Sequence, residues 1–295
     1  MRYVALPPPG ENCGLRWWQA LDPPIYLISI LPGAAVWLLT GIQGRQLAEV
    51  GIATLAVVLL QHGINVLNDV SDWRLGADID KRNSWVRFHD EIPRVAAIHG
   101  YISLVLGALL GLAVLVAASR IWIAPAAAPL VLLGYLYNSG SRPLSYTPFG
   151  EWVTGLCYGP GVFGGLWLIV ASQPVSVGIF GSISFFALSV ALLLSHQPPQ
   201  IDTDRQAGKL SFAVRFGARK TYGGAKLLFL LFLLTLGLAL SNSAAANLSR
   251  ITYDVSAIIA GLLLIRLQPA PRRLLPAATV VILGALLTSL AGNFQ

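Results

Sequence analysis

Long apolar segments are the feature that most restricts the fold of this chain. They recur about nine times, and each run of roughly 17 to 25 residues is long enough to cross a hydrocarbon layer as a helix. The predicted spans are 24–43, 48–70, 94–118, 121–138, 149–171, 175–197, 222–241, 251–267 and 273–292. Only 11% of the residues are charged, whereas soluble domains have about 25%. The sequence therefore predicts an all-α, polytopic membrane protein.

The basic residues predict how these spans are oriented. If the N-terminus is cytoplasmic, every Lys and Arg except Arg45, Arg120 and Arg250 falls in a cytoplasmic segment, as the positive-inside rule requires. The net charge of +7 is thus explained by topology, and its scatter among the connections argues against nucleic acid as a partner. We expect a cytoplasmic arm over 1–22 and a single transmembrane domain over 23–295.

The second predicted span ends in polar residues that share one side of a helix. Asn65, Asn68, Asp69, Asp72 and Gly76 follow the i, i+3, i+4, i+7 spacing, so two amides, two carboxylates and a glycine fall on one face. Ionisable groups at membrane depth are costly and usually mark a site within the bundle. The alternative is a solvated loop that begins one turn early.

A second polar connection, about 198–221, contains acidic and basic residues and lies on the same side of the membrane. Pro198 and Pro199 interrupt any continuous helix, so we expect span six to end near Gln197 and a short helix to restart at Pro199. On that helix Gln200 and Asp204 point together. Asp202 then faces the other way, as a solvated charge.

Together the two connections have the composition of a magnesium-diphosphate site. Mg²⁺ takes oxygen ligands, usually one or two carboxylates together with phosphate oxygens and water. Arg and Lys supply charge-assisted hydrogen bonds to the remaining phosphate oxygens. The alternative is that the acidic and basic residues simply pair with one another across the loops.

Three motifs resemble the UbiA-type intramembrane prenyltransferases. Asn68-Asp69-x-x-Asp72, followed by Gly76 and Asp78, is similar to the first aspartate-rich motif of the 1,4-dihydroxy-2-naphthoate branch. The stretch 202–217, with its Asp-Arg-Gln-Ala-Gly-Lys run, resembles the second motif, and 137–144 resembles the Tyr-x-x-Gly-x-x-Pro-Leu loop. The resemblance implies nine helices around a central cavity, closed by a cytoplasmic cap.

The resemblance also implies an activity and its site residues. The implied reaction moves a prenyl group from a polyprenyl diphosphate to an aromatic acceptor with Mg²⁺. The implied metal ligands are Asp69, Asp72 and Asp204. The implied diphosphate ligands are Lys81, Arg82, Arg142, Arg205 and Lys209. Asn65, Asn68 and Tyr137 complete the catalytic set, Tyr135, Tyr137 and Tyr146 are candidates to shield an allylic cation, and His62, Asp78, His196 and Gln200 are secondary candidates.

The chain departs from the family pattern in the second motif. Gln200 stands where most members have an aspartate, and 196–199 replaces the usual Asn-Asn-x-Arg. A histidine followed by glutamine at the aspartate position is similar to the naphthoate phytyltransferases. An amide cannot neutralise a cation, so this departure weakens the case for a second metal ion. His62 is equally open to two interpretations, as an acceptor contact or as a histidine satisfied within the bundle.

The sequence leaves the acceptor open among naphthoate, hydroxybenzoate and homogentisate. We expect 1,4-dihydroxy-2-naphthoate, since Gly76 stands where hydroxybenzoate enzymes tend to carry an aspartate, and the absent carboxylate suits an acceptor that has its own. A cation- or proton-coupled transporter is the alternative from another class, because spans two and six both end in polar residues. The expected location is the inner membrane of a bacterium, with the site loops in the cytoplasm.

Overall fold

Helices span membranes because a backbone in lipid must pair its polar groups within its own segment. The computed structural model describes residues 13–76, 81, 83–140, 143–170, 174–243, 245 and 247–292. Among these residues, nine helical segments are long and apolar enough to cross a membrane. They are Arg16–Thr40, Gly44–Leu75, Pro93–Ala117, Ile121–Asn138, Gly150–Val170, Val175–Gln206, Phe212–Ser241, Asn247–Arg266 and Pro271–Gly292. The prediction of an all-α, polytopic membrane protein is confirmed.

The spans are built from thirteen α-helices within the described ranges. These are α1 Cys13–Leu21, α2 Leu27–Thr40, α3 Gly44–Leu75, α4 Trp85–Phe88, α5 Pro93–Ala117, α6 Ala124–Asn138, α7 Gly150–Leu156, α8 Gly165–Val170, α9 Val175–His196, α10 Ile201–Gln206, α11 Phe212–Ser241, α12 Asn247–Arg266 and α13 Pro271–Gly292. A π-helix, Cys157–Gly164, joins α7 to α8. Short 3₁₀ turns include Pro23–Tyr26, Leu144–Tyr146 and Pro198–Gln200.

Two helices extend beyond their predicted apolar spans. The second span was predicted over 48–70, with its helix continuing to about Gly76, and α3 does run to Leu75 and stop at Gly76, whose φ of 78° suits glycine. The seventh was predicted to begin at residue 222, but α11 begins at Phe212 and breaks at Gly217, where φ is 79°. Helices need not stop where lipid stops, so hydropathy marks the apolar stretch and misses the polar turns beyond it.

Small residues let α3 and α5 pack with their backbones close together. A Cβ atom at Gly63 would lie 2.7 Å from the carbonyl oxygen of Gly100, and one at Gly107 would lie 2.9 Å from the carbonyl oxygen of Ala56. Close approach of this kind supplies van der Waals packing where lipid removes the hydrophobic driving force between helices. The pairing holds the polar end of α3 against α5.

Apolar side chains cover the outside of the bundle as well as its core. Ile258, Leu262 and Ile265 on α12 are each about three-fifths exposed, which is typical of a lipid-facing surface. Inside, Phe163 and Phe185 are fully buried and stack with ring centroids 5.3 Å apart. The apolar exterior fits the predicted lipid environment.

The polar connections gather at one end as a polar cap, defined here as residues 81, 83–92, 143–149 and 197–211. It contains the short helices α4 and α10. The predicted arm over 1–22 is described from Cys13, where it forms α1. Arg16 on α1 donates to the carbonyl oxygen of Arg87 at 2.6 Å and to Asp90 at 3.2 Å, so the arm is attached to this cap.

Candidate active site

The two carboxylates at the end of α3 lie inside the protein. Asp69 and Asp72 are only 6% and 2% exposed, and Asn68 donates to Oδ2 of Asp72 at 3.0 Å. Positions 68 and 72 are one turn apart, so this bond follows from the predicted helical spacing. The carboxylates of the polar face are therefore buried on a helix, which excludes the alternative of a solvated loop that begins one turn early.

Asp69 is held by the segment that follows α3. Lys81 places Nζ 2.8 Å from Oδ1, and the backbone N–H of Trp85 donates to Oδ2 at 2.7 Å. Ser84 begins α4 by accepting from the N–H of Val86, which fixes the turn that aims the Trp85 N–H at the carboxylate. Both oxygens of a buried carboxylate thus have partners, as burial requires.

Asp72 is the point where three polar connections meet. The hydroxyl of Tyr146 donates to Oδ1 at 2.9 Å, and Nζ of Lys209 lies 3.2 Å from the same oxygen. The Lys209 ammonium also lies 4.8 Å from the centre of the Tyr146 ring, and the N–H of Leu210 donates to the carbonyl oxygen of Tyr146. The three motif regions, distant in sequence, are adjacent in the fold.

The second acidic connection separates its two aspartates as predicted. Asp204 is 7% exposed and accepts a hydrogen bond from Ser211 at 2.9 Å. Asp202 is almost fully exposed and pairs with Arg205 at 3.4 Å, a surface contact of little energetic value. Arg205 is exposed beside Asp202, and its assignment as a diphosphate ligand stays a prediction.

Two polar residues of the site, Glu151 and Gln197, were not predicted. Gln197 Nε2 donates to Oε1 of Glu151 at 2.9 Å, and the N–H of Phe212 donates to the same oxygen at 2.7 Å. The Gln197 amide oxygen accepts from the N–H of Ala213, and Arg215 lies 3.6 Å from Oε2 of Glu151. Together they satisfy the first N–H groups of α11, which have no partner within that helix.

The segment 196–208 breaks at the prolines, as predicted. A 3₁₀ turn over Pro198–Gln200 separates α9 from α10 and changes the rotation per residue there. His196 is exposed and Gln200 half-buried, whereas Gln197 is buried. The signal that could have identified Glu151 was a single carboxylate at the start of an apolar span.

Only some of the tyrosines predicted for the site lie near the carboxylates. Tyr137 has its hydroxyl beside Thr154 and faces the acidic groups. Those groups are Glu151, Asp72 and Asp204. Tyr135 belongs elsewhere, because its hydroxyl is 3.5 Å from that of Tyr101 on α5. Two further tyrosines lie nearby, since Tyr26 is beside Asn65 and Tyr158 has its hydroxyl beside Ser29.

Three predicted site residues lie outside the described part of the chain, namely Asp78, Arg82 and Arg142. His62 lies near the polar face of α3, because its Nδ1 is 2.6 Å from the hydroxyl of Tyr26, and Tyr26 lies beside Asn65. The histidine is therefore satisfied within the bundle and is one hydrogen bond removed from the motif.

The donor atoms of this region suit a hard cation. Carboxylate and amide oxygens are the ligands that Mg²⁺ prefers, and Asp69, Asp72 and Asp204 all present buried carboxylates. Across the described ranges, no group of three His, Cys, Asp or Glu side chains is gathered as a ready-made cluster. Lys81 and Lys209 instead neutralise Asp69 and Asp72. The residues present fit Mg²⁺ bound together with an anionic ligand, which supplies the remaining oxygens.

Comparison with known proteins decides the family. A model of the UbiA prenyltransferase family matches residues 26–278. The chain belongs to the UbiA prenyltransferase family. The UbiA homologue from Archaeoglobus fulgidus, solved bound to GPP and Mg²⁺, superposes with a TM-score of 0.65 over 94% of this chain and 98% of that one, at 14% identity. At that identity the likeness concerns the fold, and it confirms the predicted UbiA architecture.

Two curated relatives are, by name, a naphthoate octaprenyltransferase and a naphthoquinone phytyltransferase. The 1,4-dihydroxy-2-naphthoate octaprenyltransferase of Mycobacterium tuberculosis is 34% identical over 192 residues, which are 64% of this chain and 64% of that protein. The 2-carboxy-1,4-naphthoquinone phytyltransferase of Synechocystis is 29% identical over 210 residues, 69% of this chain and 66% of that protein. These alignments span just under two thirds of each relative's length.

Proposed function

We propose that this chain is a membrane-embedded, Mg²⁺-dependent prenyltransferase that moves a polyprenyl group from an allylic diphosphate to an aromatic acceptor. The observation that carries the proposal is the meeting of Tyr146 and Lys209 on the carboxylate of Asp72. A carboxylate, a phenol and an ammonium are thereby assembled from three connections at the polar end of an apolar bundle. Family membership and the relatives' names support the same reaction.

The acidic residues and the lysines would bind different parts of the donor complex, the metal ion and the phosphate oxygens. Asp69, Asp72 and Asp204 would hold Mg²⁺, which when bound stabilises the negative charge of the departing diphosphate. Lys81 and Lys209 already lie beside two of these carboxylates and would donate to phosphate oxygens. Gln200 adds no charge to the second acidic group, which favours a single strongly held ion.

The aromatic side chains are suited to stabilising the allylic cation. Breaking the carbon–oxygen bond of an allylic diphosphate leaves a cation that water would destroy. The face of an aromatic ring attracts cations, and Tyr137 and Tyr146 both lie beside the acidic residues. The surrounding helices are apolar and exclude water from the prenyl chain. We therefore propose these two tyrosines as the groups that shield the allylic cation.

We propose 1,4-dihydroxy-2-naphthoate as the acceptor, with hydroxybenzoate and homogentisate as the alternatives. The support is the naphthoate motif on α3 together with the names of the curated relatives. Gly76 does not help to choose the acceptor, because it ends α3 in a left-handed conformation that explains the glycine by itself. The family match also favours a transferase over a transporter.

A competition assay tests both levels of the proposal. Protein purified in detergent or nanodiscs receives Mg²⁺, one polyprenyl diphosphate, and equal amounts of naphthoate, hydroxybenzoate and homogentisate acceptors. We expect the product to form from the naphthoate, as a demethylmenaquinone-type quinone precursor, and to disappear when EDTA is added. A preference for another phenol contradicts only the acceptor assignment. No prenylated product with any acceptor, together with ion flux in liposomes, overturns the transferase in favour of the transporter.

We further propose that the polar cap lies in the cytoplasm of a bacterial inner membrane. The support is the distribution of basic residues, since Lys81, Arg205 and Lys209 belong to the cap while Arg45 and Arg250 lie near the opposite ends of their spans. This orientation would give the site access to a water-soluble diphosphate head group, while the prenyl chain lies in lipid.

A further inference from the structure

Three of the four histidines in this sequence form one continuous line of hydrogen-bonded side chains that starts at Tyr26. The Tyr26 hydroxyl lies 2.6 Å from Nδ1 of His62, and Nε2 of His62 lies 3.0 Å from Nε2 of His99. Nδ1 of His99 then lies 3.1 Å from Nε2 of His89. The line crosses from α3 to α5 and ends in the polar cap just after α4. In His62 and His99, both ring nitrogens are engaged, one toward each neighbour in the line.

This order allows two complete hydrogen-bond patterns. A neutral imidazole has one donor and one acceptor nitrogen, so each ring can accept from the inner neighbour and donate to the outer one. The opposite pattern, with every donor reversed, is equally complete. Passing one proton along the line converts the first pattern into the second. A merely structural cluster would not need both nitrogens of His62 and His99 to be engaged in series.

The two ends of the line lie in different environments. At the inner end Tyr26 is buried and lies beside Asn65, which belongs to the polar face of α3. At the outer end His89 is half-buried and adjoins the exposed residue Asp90. Burial lowers the pKa of His89 below its usual value, and the Asp90 carboxylate opposes that shift only in part. A neutral ring at the outlet can accept a proton and release it to water.

Trp85 packs against the side of the line of hydrogen-bonded histidines. Its ring meets His62 and His99 edge to face, with centroids 4.9 Å apart in both cases, and it is only 2% exposed. Its backbone N–H also donates to Asp69. One residue therefore shields the middle of the line from water and ties the line to the acidic site.

We propose that Tyr26, His62, His99 and His89 form a proton relay from the acceptor pocket to water. The proposal rests on the proposed function. As the diphosphate leaves with the electron pair of the carbon–oxygen bond, a ring carbon of the acceptor forms the new carbon–carbon bond. The phenolic hydroxyl of the acceptor then becomes a carbonyl and gives its proton to the Tyr26 oxygen. The ring becomes aromatic again when the hydrogen on the alkylated carbon moves to the carbonyl oxygen; if that carbon bears a carboxylate instead, CO₂ leaves and the oxygen takes one proton back along the line. Tyr26 passes its own proton to His62, and the last proton leaves from His89.

The test uses the full-length protein with prenyl diphosphate and acceptor, and it compares His89→Ala, His99→Gln and the control Tyr101→Phe. Tyr101 lies on the same helix as His99. Its hydroxyl is 3.5 Å from that of Tyr135, and Tyr101 is not a member of the hydrogen-bonded line. We expect kcat to fall by about 100-fold in both histidine variants, in the lower range of what positioned proton transfer contributes. The KM for the diphosphate should stay unchanged, and the melting temperature should match that of the control.

Chemical rescue separates a relay from a structural role. Imidazole added to His89→Ala should restore at least a tenth of the lost kcat, whereas His99→Gln, whose side chain fills the gap, should not respond. Histidine variants within twofold of the control, or a loss in His89→Ala that imidazole does not restore, overturn the relay while the transferase stands. A wild-type protein that prenylates no acceptor overturns the proposed function and the relay with it.

Discussion

Nζ of Lys209 lies 3.2 Å from Oδ1 of Asp72, so one ion pair joins two connections that are far apart in the sequence. The hydroxyl of Tyr146 donates to the same oxygen. Buried ions are costly to desolvate, and a carboxylate with two partners offsets that cost better than a simple pair. The geometry also leaves Lys209 beside the place where an anionic ligand would compete with Asp72 for its charge.

Replacing Lys209 with glutamine should weaken binding of the prenyl diphosphate. A charge-assisted hydrogen bond contributes about 1.5 to 3 kcal/mol, so we expect the KM for the donor to rise roughly 10- to 100-fold. Steady-state kinetics at varied donor concentration measures this. Lys220→Gln is the matched control, because Lys220 is an exposed residue of α11 that should tolerate the change. Equal effects of the two changes would mean that general surface charge attracts the donor.

Asp69→Asn and Asp72→Asn should each abolish Mg²⁺-dependent turnover while the protein stays folded. The amide keeps the shape of the side chain but removes a charge that a cation and the two lysines need. Product formation at varied Mg²⁺ measures the effect. Asp202→Asn is the control and should be mild, since that carboxylate is solvated. Comparable loss in all three variants would contradict the assignment of Asp202 to the surface.

The parts of the site that the sequence predicts are those set by local periodicity. The face containing Asn68 and Asp72 follows from 3.6 residues per turn, and the structure retains it. The break at Pro198 also follows from local chemistry, because proline ends a helix. Hydropathy alone located all nine spans, although it missed the polar turns of α3 and α11.

The remaining features depend on contacts between distant segments. Glu151 becomes part of the site only because α11 starts opposite it, and no spacing in the sequence reveals that meeting. Gln197 faces inward because a single 3₁₀ turn follows it, and a change in rotation per residue is not visible in residue types. The sequence also does not reveal that Arg205 pairs with Asp202 at the surface when no phosphate is bound.

Glu151→Gln should destabilise the protein. The carboxylate accepts from Gln197 and from the first N–H of α11, and it lies near Arg215, so an amide would direct donors toward a cation. We expect a loss of about 1 to 3 kcal/mol and a melting temperature lower by several degrees. Thermal unfolding in one detergent measures it. Glu91→Gln removes an exposed charge that pairs with Arg87 and should change stability by less than about 0.5 kcal/mol.

Gly63→Ala should disrupt the contact between α3 and α5. The added Cβ would lie 2.7 Å from the carbonyl oxygen of Gly100 and 2.7 Å from Leu104, so a backbone must move. Overpacking of this kind costs about 1 to 3 kcal/mol. Gly51→Ala on the same helix is the control, because a Cβ there meets nothing within 4 Å and alanine favours helix. Equal melting temperatures for the two variants would contradict the close packing.

Single cysteines should reveal which side of the membrane the polar cap faces. In a background with Cys13 and Cys157 replaced by serine, we expect Asn83→Cys and Gln206→Cys to react with a membrane-impermeant maleimide only after the cells are permeabilised. Both positions are exposed in the cap, and the basic residues retain that side in the cytoplasm.

Gln43→Cys and Asn242→Cys are the matched controls for this labelling. Gln43 precedes α3 and Asn242 follows α11, so both lie at the ends of their helices opposite the cap, and both are exposed. They should react in intact cells. If Asn83→Cys and Gln206→Cys react before permeabilisation and the controls react only after it, the orientation is inverted and the site faces away from the cytoplasm. The contacts around Asp72 are the same in both orientations, so that result would change the compartment that supplies the diphosphate and leave the site geometry as it is.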